Sequence, residues 1–418
     1  MEWIPIRRVA AIATLIVCVA SAPVATHHAL ATATLLTSST PYLPGSRIGI
    51  HTDGINAPYQ IRILGDASVV NGDIAFPTDA PPGTTTIFAT NPYGLASRRL
   101  RVTAPPPVRA PFIAVASYDE GVVLHRPTAP FAPFAVLGIG GAPSDVAIDA
   151  DGRLAAADTD TDTLTVATLQ PWGVTRFHDV PVGDEVAFDP HSHALFVTNR
   201  DVEGKGALTR IDASSSPTRV ITGDTAEGLA IDNARQLVYV ANVNSGTISV
   251  VDAATMRVRT TFHGVARNFS LALSDDGNRL YAVSNQSRTS ILGASGGVVA
   301  YALNDGSPHL VARSAALAFP VGVAYDHRDR RVFVTDERDD VVDVLDARTL
   351  RPVHAPLETC STPWLPTYDA ATARLYVPCS RSGAVDVFDG RTLARVAGAP
   401  FATGGYPLAV ALWHPDAP

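Results

Sequence analysis

Positive charge, long apolar runs and the common catalytic motifs are all scarce in this sequence of 418 residues. Lysines and arginines number 32 against 40 aspartates and glutamates, which gives a formal net charge of −8. A protein that follows a phosphate backbone with pooled positive charge is therefore not expected. The chain contains no phosphate-binding glycine loop, no dinucleotide fingerprint and no HExxH string. Only 17% of its residues are charged and 46% are hydrophobic, which excludes a chain kept disordered by charge repulsion.

Glycine and proline, in contrast, are plentiful, with 31 and 32 residues. Because sustained helical patterns are few, this composition predicts many short strands joined by turns. At roughly 150 residues per domain, the length allows two or three domains or one large repeat architecture.

Residues 1–31 have the features of a secretory signal peptide. Arg7 and Arg8 precede an apolar run from Val9 to Ala20, and Ala29-Leu30-Ala31 supplies an A-x-A-like cleavage site. The run is too short for a membrane helix, which needs about 20 residues, and no later stretch approaches that length. We therefore expect a chain without a membrane span, exported to the periplasm or out of the cell. Removal of Glu2, Arg7 and Arg8 would change its net charge from −8 to −9.

The cysteine content agrees with export. Cys18 leaves with the signal peptide, so the mature chain keeps only Cys360 and Cys379. An even pair in an oxidising compartment favours a disulfide, with two isolated thiols as the alternative.

A small unit is predicted next, over residues 32–103. Four alternating runs separated by turn signals predict a β-sandwich of six or seven short strands: Arg47–His51, Tyr59–Leu64, Thr84–Thr90 and Arg98–Thr103. The stretch from Ala80 to Gly94, followed by Arg99-Leu-Arg-Val-Thr103, resembles the closing hairpin of bacterial Ig-like domains. That resemblance implies a module that spaces or docks a neighbour. The proline-rich residues 104–111 then form a stiff linker.

The remainder of the chain, residues 112–418, is built from repeats. A motif of the type Val-Ala-Ile-Asp recurs about every 44 residues, a period typical of β-propeller blades. It begins at Val146, Val186, Leu229, Leu271, Val323, Pro366 and Val410. Units such as the one from Leu229 to Asp252, with Val-Tyr-Val-Ala-Asn at its centre, resemble the YVTN repeat of the YncE-like β-propellers. The resemblance implies a propeller fold, with repeat residues that are structural.

The ends of the repeat region predict how the ring closes. The tail supplies only a first strand, Leu408–Leu412, and the segment after the linker supplies three more, Phe112–Ser117, Gly121–His125 and Phe134–Gly138. Together they complete a seventh blade and leave no exposed sheet edge. We therefore expect an all-β fold class, a seven-bladed β-propeller preceded by an N-terminal sandwich that resembles an Ig-like domain.

Within a blade, the start of the first strand lies on the same face as the end of the second. Cys360 and Cys379 occupy these two places in the sixth unit, so we expect them to meet. The same face is the channel mouth, where we expect a polar or cationic ligand to bind. The predicted ligand-binding residues are Asp145, Glu185, Glu227, Arg267, Asn268, Trp364 and Tyr406. Second-strand ends add Asp158, Asn199, Asn242, Asn285 and Asp336, for which turn capping is the alternative.

Three motifs resemble catalytic or metal-binding sequences, but the sequence around each favours a structural interpretation. Gly293–Gly297 matches the nucleophile-elbow string but has no helix after it, so we interpret it as a loop. His191 and His193 lie in a turn on the opposite face without a third ligand. Asp158–Asp162 lacks the glycine and glutamate of an EF-hand and is at best a weak calcium loop.

Three functional hypotheses follow. The first is an exported binding or scaffold propeller, monomeric and without cofactor, for a small polar ligand or a protein partner. The second is a lactonase-like hydrolase, which the resemblance to hydrolytic propellers implies. Calcium or magnesium would then be held by Glu185, Glu227 and Asn268, with Asp145 as an additional candidate ligand, and would activate a water. The third is nucleic-acid binding, found in some YncE-like proteins but opposed by the net charge.

Overall fold

The computed structural model describes residues 39–49, 60–70, 73–91, 94–107, 109–212, 216–265, 267–285, 296–303 and 308–415. The predicted signal peptide and most of the Gly293–Gly297 loop lie outside these ranges. The described residues form 34 β-strands and no helix, and so include no helix long and apolar enough to cross a membrane.

Six of these strands belong to the N-terminal unit and make two three-stranded sheets. One sheet has the order β1-β4-β3 and the other β2-β5-β6. The strands are β1 (Arg47–Ile48), β2 (Gln60–Leu64), β3 (Ser68–Val70), β4 (Asp73–Ala75), β5 (Gly83–Asn91) and β6 (Gly94–Val102). The long β5–β6 hairpin includes most of the two stretches, Ala80 to Gly94 and Arg99 to Thr103, that resemble an Ig-like closing hairpin. Of the predicted run Arg47–His51, residues 50 and 51 lie outside the described ranges.

The other strands form seven four-stranded antiparallel sheets in the described part of the chain. Sheet 1 contains β10 (Pro143–Ile148), β11 (Arg153–Asp158), β12 (Thr163–Leu169) and β13 (Trp172–His178). Sheet 2 contains β14 (Gly183–Phe188), β15 (Leu195–Val202), β16 (Lys205–Ile211) and β17 (Thr218–Gly223). Sheet 3 contains β18 (Ala226–Asp232), β19 (Leu237–Asn242), β20 (Thr247–Asp252) and β21 (Arg257–His263).

The next three sheets repeat the pattern. Sheet 4 contains β22 (Asn268–Leu273), β23 (Arg279–Ser284), β24 (Gly297–Ala302) and β25 (His309–Arg313). Sheet 5 contains β26 (Pro320–Asp326), β27 (Arg331–Asp336), β28 (Val341–Asp346) and β29 (Leu357–Glu358). Sheet 6 contains β30 (Thr367–Asp369), β31 (Arg374–Cys379), β32 (Ala384–Asp389) and β33 (Phe401–Ala402).

Sheet 7 joins the two ends of the repeat region. Its order is β34-β7-β8-β9, with β7 (Phe112–Ser117), β8 (Gly121–His125), β9 (Pro133–Leu137) and β34 (Pro407–Trp413). The tail strand pairs antiparallel with β7, from Pro407 opposite Ser117 to Trp413 opposite Phe112. The predicted pairing of the tail with the segment after the linker is therefore present.

The first strands of the sheets contact one another in an unbroken circle. Each first strand contacts the next around the circle, in the order β10, β14, β18, β22, β26, β30, β34 and back to β10. Four-stranded sheets arranged radially around their first strands make a β-propeller. The core between the sheets consists of the buried faces of the second and third strands, such as Val238, Val240 and Val251 between sheets 2 and 3.

Space near the axis is tight, and the sequence reflects it. A Cβ added at Gly228 would lie 2.5 Å from the carbonyl oxygen of Phe269, and one at Gly322 would lie 2.3 Å from Cδ of Pro366. Hydroxyl groups bind the neighbouring sheets together. Thr335 donates a hydrogen bond to the carbonyl oxygen of Trp364 (2.7 Å), on the chain leading into the next sheet.

The N-terminal unit is docked on sheet 7. Tyr42 bridges β6 of the unit, at Val102, and β9 of sheet 7, at Val136. Tyr42, Val102 and Val136 are also buried in one shared apolar cluster with Val123 of β8 and Ile74 of β4. Because this segment covers the outer edge of β9, the edge does not stay open to other strands.

A substitution at Val240 tests the packing between sheets 2 and 3. The Val240 side chain is completely buried, so Val240→Asp places a carboxylate without a partner in an apolar core. We expect this change to reduce the free energy of unfolding by about 3 kcal/mol or more. Urea denaturation measures the loss, with Val353→Asp as the control because Val353 is 52% exposed. Equal midpoints for the two variants would contradict the assigned packing.

Truncation tests ring closure. Deleting residues 407–418 removes β34 and leaves the inner edge of β7 unpaired, so we expect a lower urea midpoint and faster proteolysis. Deleting only residues 416–418 keeps β34 intact and should change neither. Unchanged protease resistance after the longer deletion would show that the tail strand does not close the ring.

Candidate functional site

Equivalent positions of the repeat surround the channel mouth. The first strands of sheets 1–5 and 7 each carry a register shift near their start, where a bulge re-aims the side chains. Two residues before each repeat motif, the chain places one side chain per sheet near the axis. In order around the ring these seven residues, which we call the mouth ring, are Ser144, Asp184, Glu227, Phe269, Val321, Trp364 and Leu408.

A cavity of about 390 Å³ opens at this mouth. Its lining includes four of the predicted ligand-binding residues, Glu185, Arg267, Trp364 and Tyr406. The other thirteen lining residues are Tyr118, Asp119, Ser144, Thr159, Asp184, Arg200, Phe269, Asn285, Phe319, Glu337, Thr362, Leu365 and Leu408. The predicted residues Asp145, Glu227 and Asn268 are not part of this lining.

An ion-pair network lies on one side of the cavity. Arg200, near the end of β15, places Nη2 2.9 Å from Oδ1 of Asp184 and Nε 3.5 Å from Oε1 of Glu227. Glu227 is buried, and its Oε2 has no hydrogen-bond partner among the described residues. Burial raises the pKa of Glu227, and the Arg200 guanidinium opposes that rise. Sequence reasoning missed Arg200, although its place directly after Asn199 at a second-strand end was a signal for it.

Two further carboxylates bridge neighbouring first strands. Asp145 accepts a hydrogen bond from the Val186 amide (2.9 Å), and Glu185 accepts one from the Leu229 amide (2.7 Å). Burial raises the pKa of Asp145 to about 7, although the two backbone amides that it accepts from act in the opposite direction. Burial raises the pKa of Glu185 well above its ordinary value, and the nearby Asp145 carboxylate adds to the effect.

The opposite side of the cavity is apolar. Phe269 and Trp364 meet edge to face with ring centroids 5.8 Å apart, and Phe319 packs on the same cluster. Arg338 places its guanidinium carbon 5.9 Å from the centroid of the Phe319 ring. Aromatic faces of this kind favour cations and flat apolar groups.

Arg267 and Asn268 have different roles despite being adjacent. Arg267 lines the cavity and donates from Nε to the carbonyl oxygen of Asn285 (3.2 Å). Asn268 is completely buried, and its Oδ1 accepts from the Val265 amide (2.8 Å) in the preceding turn. The Asn268 side chain thus fixes a turn and does not face the cavity.

Most second-strand ends act as turn caps. Asp336 accepts from the amides of Ala318 and Phe319, and Asn199 donates to the carbonyl oxygen of Pro181. Asn285 differs, because it lines the cavity with a buried Oδ1 that has no partner among the described residues.

The carboxylates proposed as cation ligands do not converge. In the described part of the chain, three carboxylate or imidazole ligand atoms come within 4.8 Å of one another only at Asp149, Asp151 and His193, in turns on the other face. Asp145, Glu185 and Glu227 form no such group. The Asp149 oxygens already accept from Arg153 Nε and from the amides of Asp151 and Arg153.

The Asp158–Asp162 loop is likewise held by its own hydrogen bonds. Asp158 accepts from the amides of Ala142 and Asp160 and from the Thr161 hydroxyl. These bonds occupy both carboxylate oxygens of Asp158.

Cys360 and Cys379 form the predicted disulfide. Their sulfur atoms are 2.08 Å apart, and the bond closes a sequence separation of 19 residues beside the start of sheet 6. A structural disulfide indicates an oxidising compartment.

Comparison with known proteins supports the fold. No protein-family profile matches the chain, and no curated protein does. A functionally unknown protein from Desulfotomaculum acetoxidans DSM 771 is 16% identical, with a TM-score of 0.59 over 73% of this chain and 99% of its own. A putative 6-phosphogluconolactonase from Bacteroides uniformis ATCC 8492 is 12% identical, with a TM-score of 0.60 over 73% and 100%.

A third solved structure, the Cps50 (Swd1) β-propeller domain of Myceliophteria thermophila, is 12% identical, with a TM-score of 0.56 over 66% of this chain and 93% of its own. At these identities the likeness establishes a β-propeller, and function has to be argued from the site.

The raised pKa of Asp145 predicts that the stability of the fold depends on pH. Its pKa rises from 3.8 to about 7 on folding, so between about pH 4 and pH 7 the folded chain holds a proton that the unfolded chain has released. The free energy of unfolding should therefore fall as the pH rises through that window. Asp145→Asn should make the fall shallower, whereas the exposed Asp66→Asn should leave it unchanged. Denaturant titrations at several pH values measure the slope, and identical slopes for wild type and Asp145→Asn would contradict the prediction.

Proposed function

We propose that this chain is an exported, seven-bladed β-propeller with an N-terminal Ig-like sandwich that binds a small polar ligand at its channel mouth without catalysis. Its parts would be a signal peptide (1–31), the sandwich (32–103), a linker (104–111) and the propeller (112–418). The observation that carries the binding function is the cavity of about 390 Å³, which is concave, lined by aromatic rings and supplied with a few buried polar groups.

Several observations support the architecture. Seven four-stranded sheets occur among the described residues, and their first strands contact one another in a closed circle. Ile48 and Ile74 of one N-terminal sheet share a buried apolar cluster with Ile87 and Leu100 of the other, which supports a sandwich. The Cys360–Cys379 disulfide supports export. We expect the docked sandwich to hold its position on the propeller as a scaffold, and the protein to be a monomer.

The lactonase-like alternative has less support from the site. One similar structure is described as a putative 6-phosphogluconolactonase, but at 12% identity this likeness concerns the fold. Metal-assisted hydrolysis needs several oxygen ligands around one ion. Asn268 is committed to its turn, and Glu227 is already engaged by Arg200.

A ligand screen tests the proposal. The purified exported chain is heated with a panel of sugars, amino acids, amines and lactones, and lactone hydrolysis is measured in parallel. A ligand that binds only the folded chain raises the melting temperature in proportion to ln(1 + [L]/Kd). We expect at least one compound to do so. Trp364→Leu should reduce the shift, and Trp172→Leu, outside the cavity lining, should preserve it.

Two results would contradict the binding function. One is a panel in which no compound changes the melting temperature. The other is lactone turnover that Glu227→Gln abolishes, which would establish the hydrolase instead.

A further inference from the structure

The mouth ring is polar on one arc and apolar on the other. Ser144, Asp184 and Glu227 come from the consecutive sheets 1–3, and Phe269, Val321, Trp364 and Leu408 come from the consecutive sheets 4–7. Five of the seven line the cavity, and Glu227 and Val321 are not part of its lining. The cavity therefore has Ser144 and Asp184 on one side and Phe269, Trp364 and Leu408 on the other, which gives it two chemically distinct halves.

Carboxyl groups outnumber basic groups on the polar arc. Asp145, Asp184, Glu185 and Glu227 interact with one another here, and their mutual repulsion contributes to the raised pKa of Glu185. Arg200 is the arginine of this arc, and it is already paired with Asp184 and Glu227. No cationic nitrogen of the described residues lies within ion-pair distance of the Glu185 carboxylate.

Two buried acceptors near the cavity have no donor among the described residues. Asn285 Oδ1 belongs to a residue of the cavity lining, directly after β23 of sheet 4, whereas Glu227, with Oε2, is not part of that lining. One oxygen of Glu185 accepts from the Leu229 amide, which leaves the other available at the cavity surface. A buried acceptor without a donor is costly, so a ligand that donates hydrogen bonds gains affinity by supplying them.

We infer that the ligand of this cavity is an amphipathic organic cation, whose protonated amine lies beside Glu185 and whose apolar body packs against Phe269 and Trp364. The inference rests on the proposed binding function and names its ligand class. An ammonium group carries three donors and no acceptor, which matches the acceptors that Glu185 and Asn285 contribute to the cavity lining. The edge-to-face pair of rings offers an apolar surface to the body of the ligand.

An anionic ligand fits the same site poorly. The two arginines of the lining are already engaged, Arg200 by Asp184 and Arg267 by the carbonyl oxygen of Asn285. A carboxylate or phosphate placed between them would face the Asp184 carboxylate and the carboxyl groups of Glu185 and Glu337, whose charged forms burial already disfavours. Like charges in a cavity of low polarity repel strongly.

Three probes of nearly equal size distinguish the ligand classes. They are 2-phenylethylammonium, 2-phenylethanol and phenylacetate, each titrated by calorimetry into the full exported chain at pH 7.5. We expect the ammonium compound to bind at least about tenfold more tightly than the alcohol, because a charge-assisted hydrogen bond is about twice as strong as a neutral one. Glu185→Gln should remove most of that preference, because it should weaken binding of the ammonium compound far more than binding of the alcohol. Glu358→Gln, an exposed glutamate on β29, is the matched control.

Proton exchange supplies a second readout. Since the pKa of free Glu185 is raised, a cation that binds beside its carboxylate displaces a proton. Binding should therefore release protons, detected as a dependence of the binding heat on the buffer, and should tighten as the pH rises from 6 to 8.5. The wild type should show this release, and Glu185→Gln should lose most of it. The Asp145, Asp184 and Glu227 carboxylates and Arg200, which surround Glu185, stay unchanged in that variant.

The outcomes separate this inference from the binding function. Equal or tighter binding of the alcohol or of phenylacetate overturns the inference and leaves a binding protein for a different ligand class. A second result would also overturn the inference and leave the binding function intact. In it, none of the three probes binds, but another compound of the screen raises the melting temperature and Trp364→Leu reduces that shift. Failure of every compound overturns both.

Discussion

The close approach of the first strands around the axis is the constraint on which the rest of this structure depends. A Cβ at Gly228 or Gly322 would overlap the adjacent sheet, so only small residues or backbone fit where the strands are closest. Polar side chains this close to the axis have to form hydrogen bonds with a neighbouring strand. Asp145 and Glu185 do so by accepting the amides of Val186 and Leu229. The same contacts that hold adjacent sheets together therefore bring carboxylates to the channel mouth.

Burial of these carboxylates connects stability with function. Asp145 and Glu185 both have raised pKa values because burial disfavours their charged forms. In the binding that we propose, a cation would replace the proton as the compensating charge. The feature that weakens the fold as the pH rises would then also provide affinity for a positively charged ligand, a relation commonly found where ionisable groups serve a function.

The N-terminal unit contributes to the assembly through the outer edge of sheet 7. Tyr42 joins β6 of the unit to β9 of the propeller, and the apolar cluster around it includes residues from both. Arg176 of β13 also donates to the carbonyl oxygen of Gly45, so the unit contacts sheet 1 as well. The ring closed by β34 at its inner edge is covered at this outer edge, and sheet 7 is protected on both sides.

The repeat pattern in the sequence determined the all-β class, the strand order within a sheet and the meeting of Cys360 with Cys379, because a period of about 44 residues with alternating strands admits few other folds. It also placed Glu185, Arg267, Trp364 and Tyr406 near the mouth. From the sequence alone, a polar residue at the start of a strand could either line the cavity or cap a turn, and the pattern did not distinguish the two roles. Asn268 faces its own turn, and Arg200 reaches the cavity from a second strand, because bulges and left-handed residues such as Arg267 re-aim side chains by an amount that linear spacing does not record. The neighbouring sheet, about 40 residues away in the sequence, decides whether a carboxylate accepts from an amide, pairs with an arginine or faces the cavity. Only the tertiary structure brings that sheet into contact.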